Sequence, residues 1–173
     1  MSSGNAPLKS GELSELIRAS GQAIGVELLA MTDSVAGFHP AAGEWCARQI
    51  IGHLIEAETR SFTGRIRTIL ASDTPAVTPW DQNVVAAERR DCERRLPELV
   101  KEFQVLRAVG VALVFRLRDA ELDRAGNHPE LGRMTVREIA YQWAYHDRDH
   151  VRQIAENVRA YVRDLRGKAF GYS

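Results

Sequence analysis

His146 and His150 stand four residues apart in the run Tyr145-His146-Asp147-Arg148-Asp149-His150. On a helix that spacing puts both imidazoles on one face, a turn apart, as a two-point metal clamp requires. Counting by threes and fours along the chain gives 139, 143, 146, 150 and 154, so both rings share the apolar stripe of Ile139, Trp143 and Ile154. Arg137, Arg148, Arg152, Glu156 and Arg159 mostly mark the other side. His53 has Ile50 three residues before it and Ala57 four after, so it too is expected to face inward. Inward imidazoles cost desolvation unless something satisfies them. One divalent metal held by His53, His146 and His150 would do so and leave positions for water or substrate. The alternative for each ring is a hydrogen-bonded core histidine. Spacing alone does not decide whether the helix of His53 lies beside that of the other two.

The remaining candidates are weaker. His146-Asp147-Arg148-Asp149-His150 resembles the H-E-x-x-H pattern of zinc proteases, but its carboxylate is one methylene shorter and the third histidine lies upstream. Asp147 is therefore expected to pair with an arginine or orient a neighbour. Glu56 and Gln153, each three residues from a candidate histidine, are placed to accept a hydrogen bond from an imidazole or to serve as ordinary polar helix positions. A ferritin-like di-iron centre wants paired Glu-x-x-His helices, and that tetrapeptide does not occur. His39 and His128 sit beside Pro40 and Pro129 in expected loops, and Trp45, Trp80 and Trp143 read as core or interface residues, with an aromatic wall for a ligand as the alternative. Cys46 and Cys92 are too few for a disulfide framework and suit a reducing compartment. Cys46 reads as packing rather than as a nucleophile.

Four segments have the apolar periodicity of helices that could position these groups. The first runs through Leu13, Ile17, Ile24 and Leu28, with Ser10 as an expected N-cap. The second covers about 47–70. The third, from Leu99 to Leu117, has Pro97 in its first turn, where a missing N–H costs nothing. A shorter helix is expected near 83–93. The fourth opens on the capping box Thr135-Val136-Arg137-Glu138 and continues to about Leu165. Residues 32–44, 72–81 and 119–134 read as loops, and no window shows the alternation of a strand. Four amphipathic helices predict an all-α protein, a four-helix bundle sharing one core.

The chain has 173 residues, 45% hydrophobic and 27% charged, the balance of one globular domain over 1–173, with 1–9 expected to be flexible. Its 23 basic and 23 acidic side chains cancel, so no bulk field attracts nucleic acid or an anionic membrane. No secretory signal pattern opens the sequence, and the longest apolar run, 108–115, is far short of the ~20 residues of a membrane span. A cytoplasmic protein is expected.

Three stretches together resemble the DinB-like (YfiT-like) metal-enzyme superfamily. Trp45 followed by His53-Leu54-Ile55-Glu56-Ala57-Glu58 is similar to that family's tryptophan and HL-x-x-x-E helix. His128-Pro129-Glu130-Leu131-Gly132-Arg133-Met134-Thr135 is similar to its HP-x-x-G-x-x-T entry into the last helix, and His146-Asp147-Arg148-Asp149-His150-Val151-Arg152-Gln153-Ile154 to its HD-x-x-H-x-x-Q-I signature. The resemblance implies up-down-down-up connectivity, often a homodimer, and a divalent metal, commonly zinc or nickel, on three histidines that correspond to His53, His146 and His150. Some relatives are transferases or isomerases that use a low-molecular-weight thiol such as mycothiol or bacillithiol. The expected function is thus a metal-dependent thiol S-transferase or isomerase acting on a small electrophile. Metal-assisted hydrolysis in the same pocket is the first alternative, and a non-catalytic metal-binding bundle the second.

Overall fold

The structure, a computed structural model, describes residues 6–172. In chain order it contains α1 (Ser10–Leu29), α2 (Asp33–Ala36), α3 (Ala47–Ala57), a π-helical turn (Glu58–Thr63), α4 (Gly64–Ala71), α5 (Gln82–Arg89), a 3-10 turn (Asp91–Glu93), α6 (Leu96–Phe115), α7 (Asp119–Leu122), the strands β1 (Ala125–His128) and β2 (Gly132–Thr135), α8 (Val136–Val162), and a closing 3-10 segment (Asp164–Tyr172). The α3–π–α4 run is one uninterrupted rod, so the expected second helix is present at full length.

The helix starts follow local chemistry. Thr135 Oγ1 accepts the Glu138 N–H at 3.1 Å, and the Glu138 carboxylate takes the Thr135 N–H at 2.7 Å, so the expected capping box opens α8. Pro97 lies in the first turn of α6. At α1 the cap is Lys9 rather than Ser10, because the Glu12 carboxylate reaches back to the Lys9 N–H at 2.9 Å and Ser10 is already helical.

Contacts between the rods set the topology. Gly21 of α1 faces Arg107 and Gly25 faces Gln104, so α1 and α6 are antiparallel. Leu8 meets Tyr141 and Ser20 meets Asp147, so α1 and α8 are parallel. Glu58 meets Arg107 and Thr63 lies at Gly110, so α3–α4 runs parallel to α6. Trp45 meets Asn157, His53 meets His146 and Phe62 stacks on Trp143, so α3–α4 runs antiparallel to α8. The ring order α1, α6, α3–α4, α8 is the up-down-down-up four-helix bundle.

The core is split by a polar layer. One apolar cluster holds Leu13, Ile17, Phe62, Ile66, Val114 and Trp143, and the other Ile24, Leu28, Leu54, Phe103 and Ile154. Each rod contributes a polar residue between the two: Ser20, Glu58, Arg107 and Asp147, all buried. Arg107 donates to Glu58 Oε1 at 2.6 and 3.0 Å, to Asp147 Oδ2 at 2.5 Å and Oδ1 at 2.9 Å, and to the Ile17 carbonyl at 2.7 Å. Ser20 adds a bond to Asp147 at 2.5 Å, and the Trp143 indole N–H one to Glu58 at 3.2 Å. A charge this deep is tolerated only when its donors are met, as these are. Trp143 reaches the layer by lying over Gly110, where any Cβ would overlap its ring.

Two expectations about the connections change. The 119–134 stretch is not an irregular loop: it forms α7 and a two-stranded antiparallel hairpin pairing Ala125 with Thr135 and His128 with Gly132. Its four-residue strands carry no apolar alternation; they are held by their ladder and by a bridge between Ala76 and Asn127, and β2 leads straight into the α8 cap. The 32–44 stretch contains the one-turn α2. Residues 1–5 of the expected flexible start lie outside the described residues, whereas Leu8 is held by Tyr141 at 2.8 Å and Arg137 at 2.6 Å. No helix among the described residues is long and apolar enough to cross a membrane.

Candidate metal centre

His53 projects from α3, and His146 and His150 from the middle of α8, and the antiparallel contact of these helices brings the three rings together. His53 Nε2 lies 3.0 Å from His146 Nε2, which lies 3.2 Å from His150 Nε2. Three nitrogens around a tetrahedral ion at ordinary zinc–nitrogen distances would sit about 3.3 Å apart. The group is therefore spaced as ligands are spaced, and one ligating atom from each ring lies within 4.8 Å of the others.

Protonation follows from the surroundings. His150 Nδ1 donates to Gln153 Oε1 at 2.8 Å, which leaves its Nε2 as the lone-pair nitrogen facing the other rings. Burial, and then the neighbouring His150 and His146, pushes His53 down to about 3. Burial, followed by His150 and Arg107, pushes His146 to about 3 as well, and burial lowers His150. All three are neutral, the form that binds metal. His53 Nδ1 and His146 Nδ1 are buried with no partner, so no other bond claims these rings, and one cation would take a lone pair from each of the three Nε2 atoms.

Aromatic side chains wall the group. Trp45 and Trp80 lie 5.3 and 5.8 Å from the His53 ring, and Phe62 lies 5.4 Å from that of His146. Trp80 is fixed by its indole bond to Ser61 Oγ at 2.7 Å, and the Trp45 carbonyl accepts from Asn157 at 2.9 Å. Trp143 is a core residue as expected, but Trp45 and Trp80 belong to the site; a tryptophan in a loop carries no periodicity that would reveal this.

Asp147 turns away from the imidazoles and pairs with Arg107, the arginine partnership expected of it. Glu58 is the residue that spacing missed. Burial pushes it up to about 7 against the opposing pull of Arg107, and its Oε2 is buried with no partner. Glu56 bonds Arg60 at 2.6 Å and Arg89 at 2.7 Å rather than an imidazole.

A cleft of ≈ 800 Å³ opens beside His150, lined by Trp45, Asp149, Gln153, Glu156 and Asn157 among others. A more apolar groove of ≈ 680 Å³ between α1 and α6, past Phe103 and Phe115, carries no such convergence of ligating groups. The other sequence candidates lie elsewhere. His128 ends β1, and its Nδ1 accepts from the turn amides of Glu130 and Leu131 at 3.2 and 3.3 Å. His39 lies with Cys46 and Cys92 in a separate cluster. Burial, and then the Cys46 sulfur, pushes the Cys92 thiol up to about 11, which does not make a nucleophile.

Comparison with known proteins gives a consistent result. A family model described as the DinB superfamily matches residues 22–154. YfiT of Bacillus subtilis is 29% identical over 130 residues, 73% of this chain and 71% of that protein. A Bacillus mycoides protein, named like YfiT a "putative metal-dependent hydrolase", is 25% identical over 112 residues, covering 65% of this chain and 64% of its own. The solved structure of YfiT, described as "a probable metal-dependent hydrolase with an unusual four-helix bundle topology", matches with a TM-score of 0.81 over 92% of this chain and 91% of that one, at 21% identity.

Proposed function

The chain belongs to the DinB superfamily, and from that premise we propose that it is a divalent-metal-dependent enzyme acting on a small electrophilic molecule, with His53, His146 and His150 as metal ligands. The observation that carries this reading is the convergence of the Nε2 atoms at 3.0 and 3.2 Å. Zinc or nickel suits such an imidazole set. Bound there, such an ion supplies Lewis acidity that makes a thiol or water molecule reaching it more acidic. Gln153 holds the His150 ring in its ligating tautomer, and Trp45, Trp80 and Phe62 restrict approach to the side of the cleft. Among the described residues no fourth side chain joins the group, which favours an open, catalytic position over a closed structural one.

Within that function, thiol-dependent S-transfer is the reading we prefer. The buried carboxylates Glu58 and Asp147 are both held by Arg107, and neither lines the cleft beside His150 where a water molecule would approach. A low-molecular-weight thiol needs less help, because it is the stronger acid at the outset. Two reduced cysteines and a thiol cosubstrate fit the cytoplasm. Hydrolysis is the second reading, favoured by the naming of the relatives and by Asp149 and Glu156, which line the cleft and could take a proton from water. A homodimer could bury Val105 and Val109, which are exposed four residues apart on α6.

The test is an assay of tag-free, metal-loaded protein against haloalkane, epoxide and ester probes, with and without added thiols. Turnover that requires both metal and thiol supports transfer. Ester cleavage without thiol supports hydrolysis. No turnover with any probe, together with a coordinatively closed ion, would leave only the non-catalytic bundle.

A further inference from the structure

His39, Cys46 and Cys92 come from three separate segments: the stretch after α2, the N-cap of α3 and the 3-10 turn after α5. Their ligating atoms lie within 4.8 Å of one another. The two sulfurs are 3.4 Å apart, and Cys92 Sγ is 3.9 Å from His39 Nε2. Around a tetrahedral zinc-class ion the corresponding separations would be about 3.8 Å between sulfurs and about 3.6 Å between sulfur and nitrogen. The two separations that involve Cys92 need adjustment of only a few tenths of an ångström, and the third pair lies within 4.8 Å. The sulfurs are too far apart for a bond, and both thiols are free.

The surroundings are prepared for a cation. His39 Nδ1 donates to the Glu44 carbonyl at 2.8 Å, so Nε2 presents its lone pair to the sulfurs, as a metal-binding imidazole does. Cys46 is fully buried at the N-cap of α3, which fixes its sulfur 3.4 Å from that of Cys92. Arg48 donates to the Cys92 carbonyl at 2.9 Å and to Asp33 at 2.8 Å, which fixes the turn that carries Cys92. His39 is exposed, so one side of the cluster opens to solvent.

We infer that His39, Cys46 and Cys92 form a second metal site that takes a thiophilic, tetrahedral ion of the zinc class, with a solvent molecule completing its coordination. Binding displaces two thiol protons to solvent, and the two thiolates neutralise the dication. Cys46 and His53 are seven residues apart on one helix, about 10 Å along its axis, so the two centres do not share an ion. The site ties the stretch after α2 to the start of α3. That stretch includes Pro40, Gly43 and Glu44, which rim the cleft beside His150, so the ion orders the mouth of the pocket.

The experiment uses cobalt(II) as a spectroscopic probe on the reduced, tag-free, full-length protein. Thiolate ligation gives a sulfur-to-cobalt charge-transfer band in the near ultraviolet, which a three-imidazole centre lacks. The band should saturate at one equivalent per chain, disappear on addition of zinc, persist in His146→Ala, and be lost in Cys46→Ser and Cys92→Ser. Zinc should also slow reaction of the wild-type Cys92 thiol, the partly exposed one, with a disulfide reagent, and a chelator should restore it, a readout that needs no variant to fold. No charge-transfer band in the wild type, a band that survives Cys92→Ser, or zinc-independent thiol reactivity would each overturn the site. The His146→Ala arm keeps failure here separable from failure of the three-histidine centre.

Discussion

The Nε2 atoms of His53 and His146 stand 3.0 Å apart although 93 residues separate them in the chain. The antiparallel contact of α3 and α8 creates this proximity, and their partners hold it. Gln153 orients His150, and Asp147, next to His146 in sequence, is locked into the polar layer by Arg107.

Removing His146 should abolish metal at this centre. Metal analysis of His146→Ala is expected to show one equivalent per chain fewer than wild type, with helical content unchanged by circular dichroism. Gln153→Ala should keep the ligands but free the His150 ring, weakening affinity by roughly 10–100-fold. Equal affinity in Gln153→Ala would mean that the bond at 2.8 Å does not set the tautomer.

Arg107 is the keystone of the polar layer, with five bonds to Glu58, Asp147 and the Ile17 carbonyl. Arg107→Met leaves two buried carboxylates without a counter-charge, and such a break typically costs about 3–5 kcal/mol. Denaturant unfolding should show a loss of that order. A loss below about 1 kcal/mol would show that water reaches the layer.

Glu58 gives the layer a pH signature. Its folded-state pKa is raised from 4.5 to about 7, chiefly by burial. Between those values the folded chain holds a proton that the unfolded chain has released, so the stability contributed by Glu58 falls as pH rises through that window. Glu58→Gln removes the linkage. The stability of wild type minus that of Glu58→Gln should therefore decline from pH 4.5 to 7, by at most roughly 3 kcal/mol. Parallel stability–pH curves would show Glu58 ionised throughout.

Legibility in the sequence followed periodicity. The four rods, Pro97 and the Thr135–Glu138 box were readable because apolar stripes and caps are local patterns. The His146–His150 pair was readable for the same reason. His53 was a candidate by its inward face, but whether it joins them depends on which rods are neighbours, which is not a local pattern, and the resemblance to a family supplied that step. The hairpin went unread because Ala-Gly-Asn-His and Gly-Arg-Met-Thr lack alternation and take their structure from the ladder and the bridge to Ala76. The cluster of His39, Cys46 and Cys92 was invisible because its members share no element and no spacing.

The core supports the site through the close approach of Trp143 to Gly110. At Gly110 an added Cβ would overlap the Trp143 ring, whereas at Gly11 it would meet nothing within 4 Å. Gly11→Ala should therefore be neutral or stabilising by up to about 1 kcal/mol, from helix propensity alone. Gly110→Ala should destabilise by roughly 1–3 kcal/mol, as overpacking does. Its effect should also reach the imidazoles: Trp143 stacks on Phe62 at 4.8 Å, and Phe62 packs against His146 at 5.4 Å. Metal affinity measured by competition with a chelator should fall in Gly110→Ala and stay at the wild-type value in Gly11→Ala. A Gly110→Ala protein that loses stability but binds metal normally would show that the aromatic stack does not transmit strain to His146.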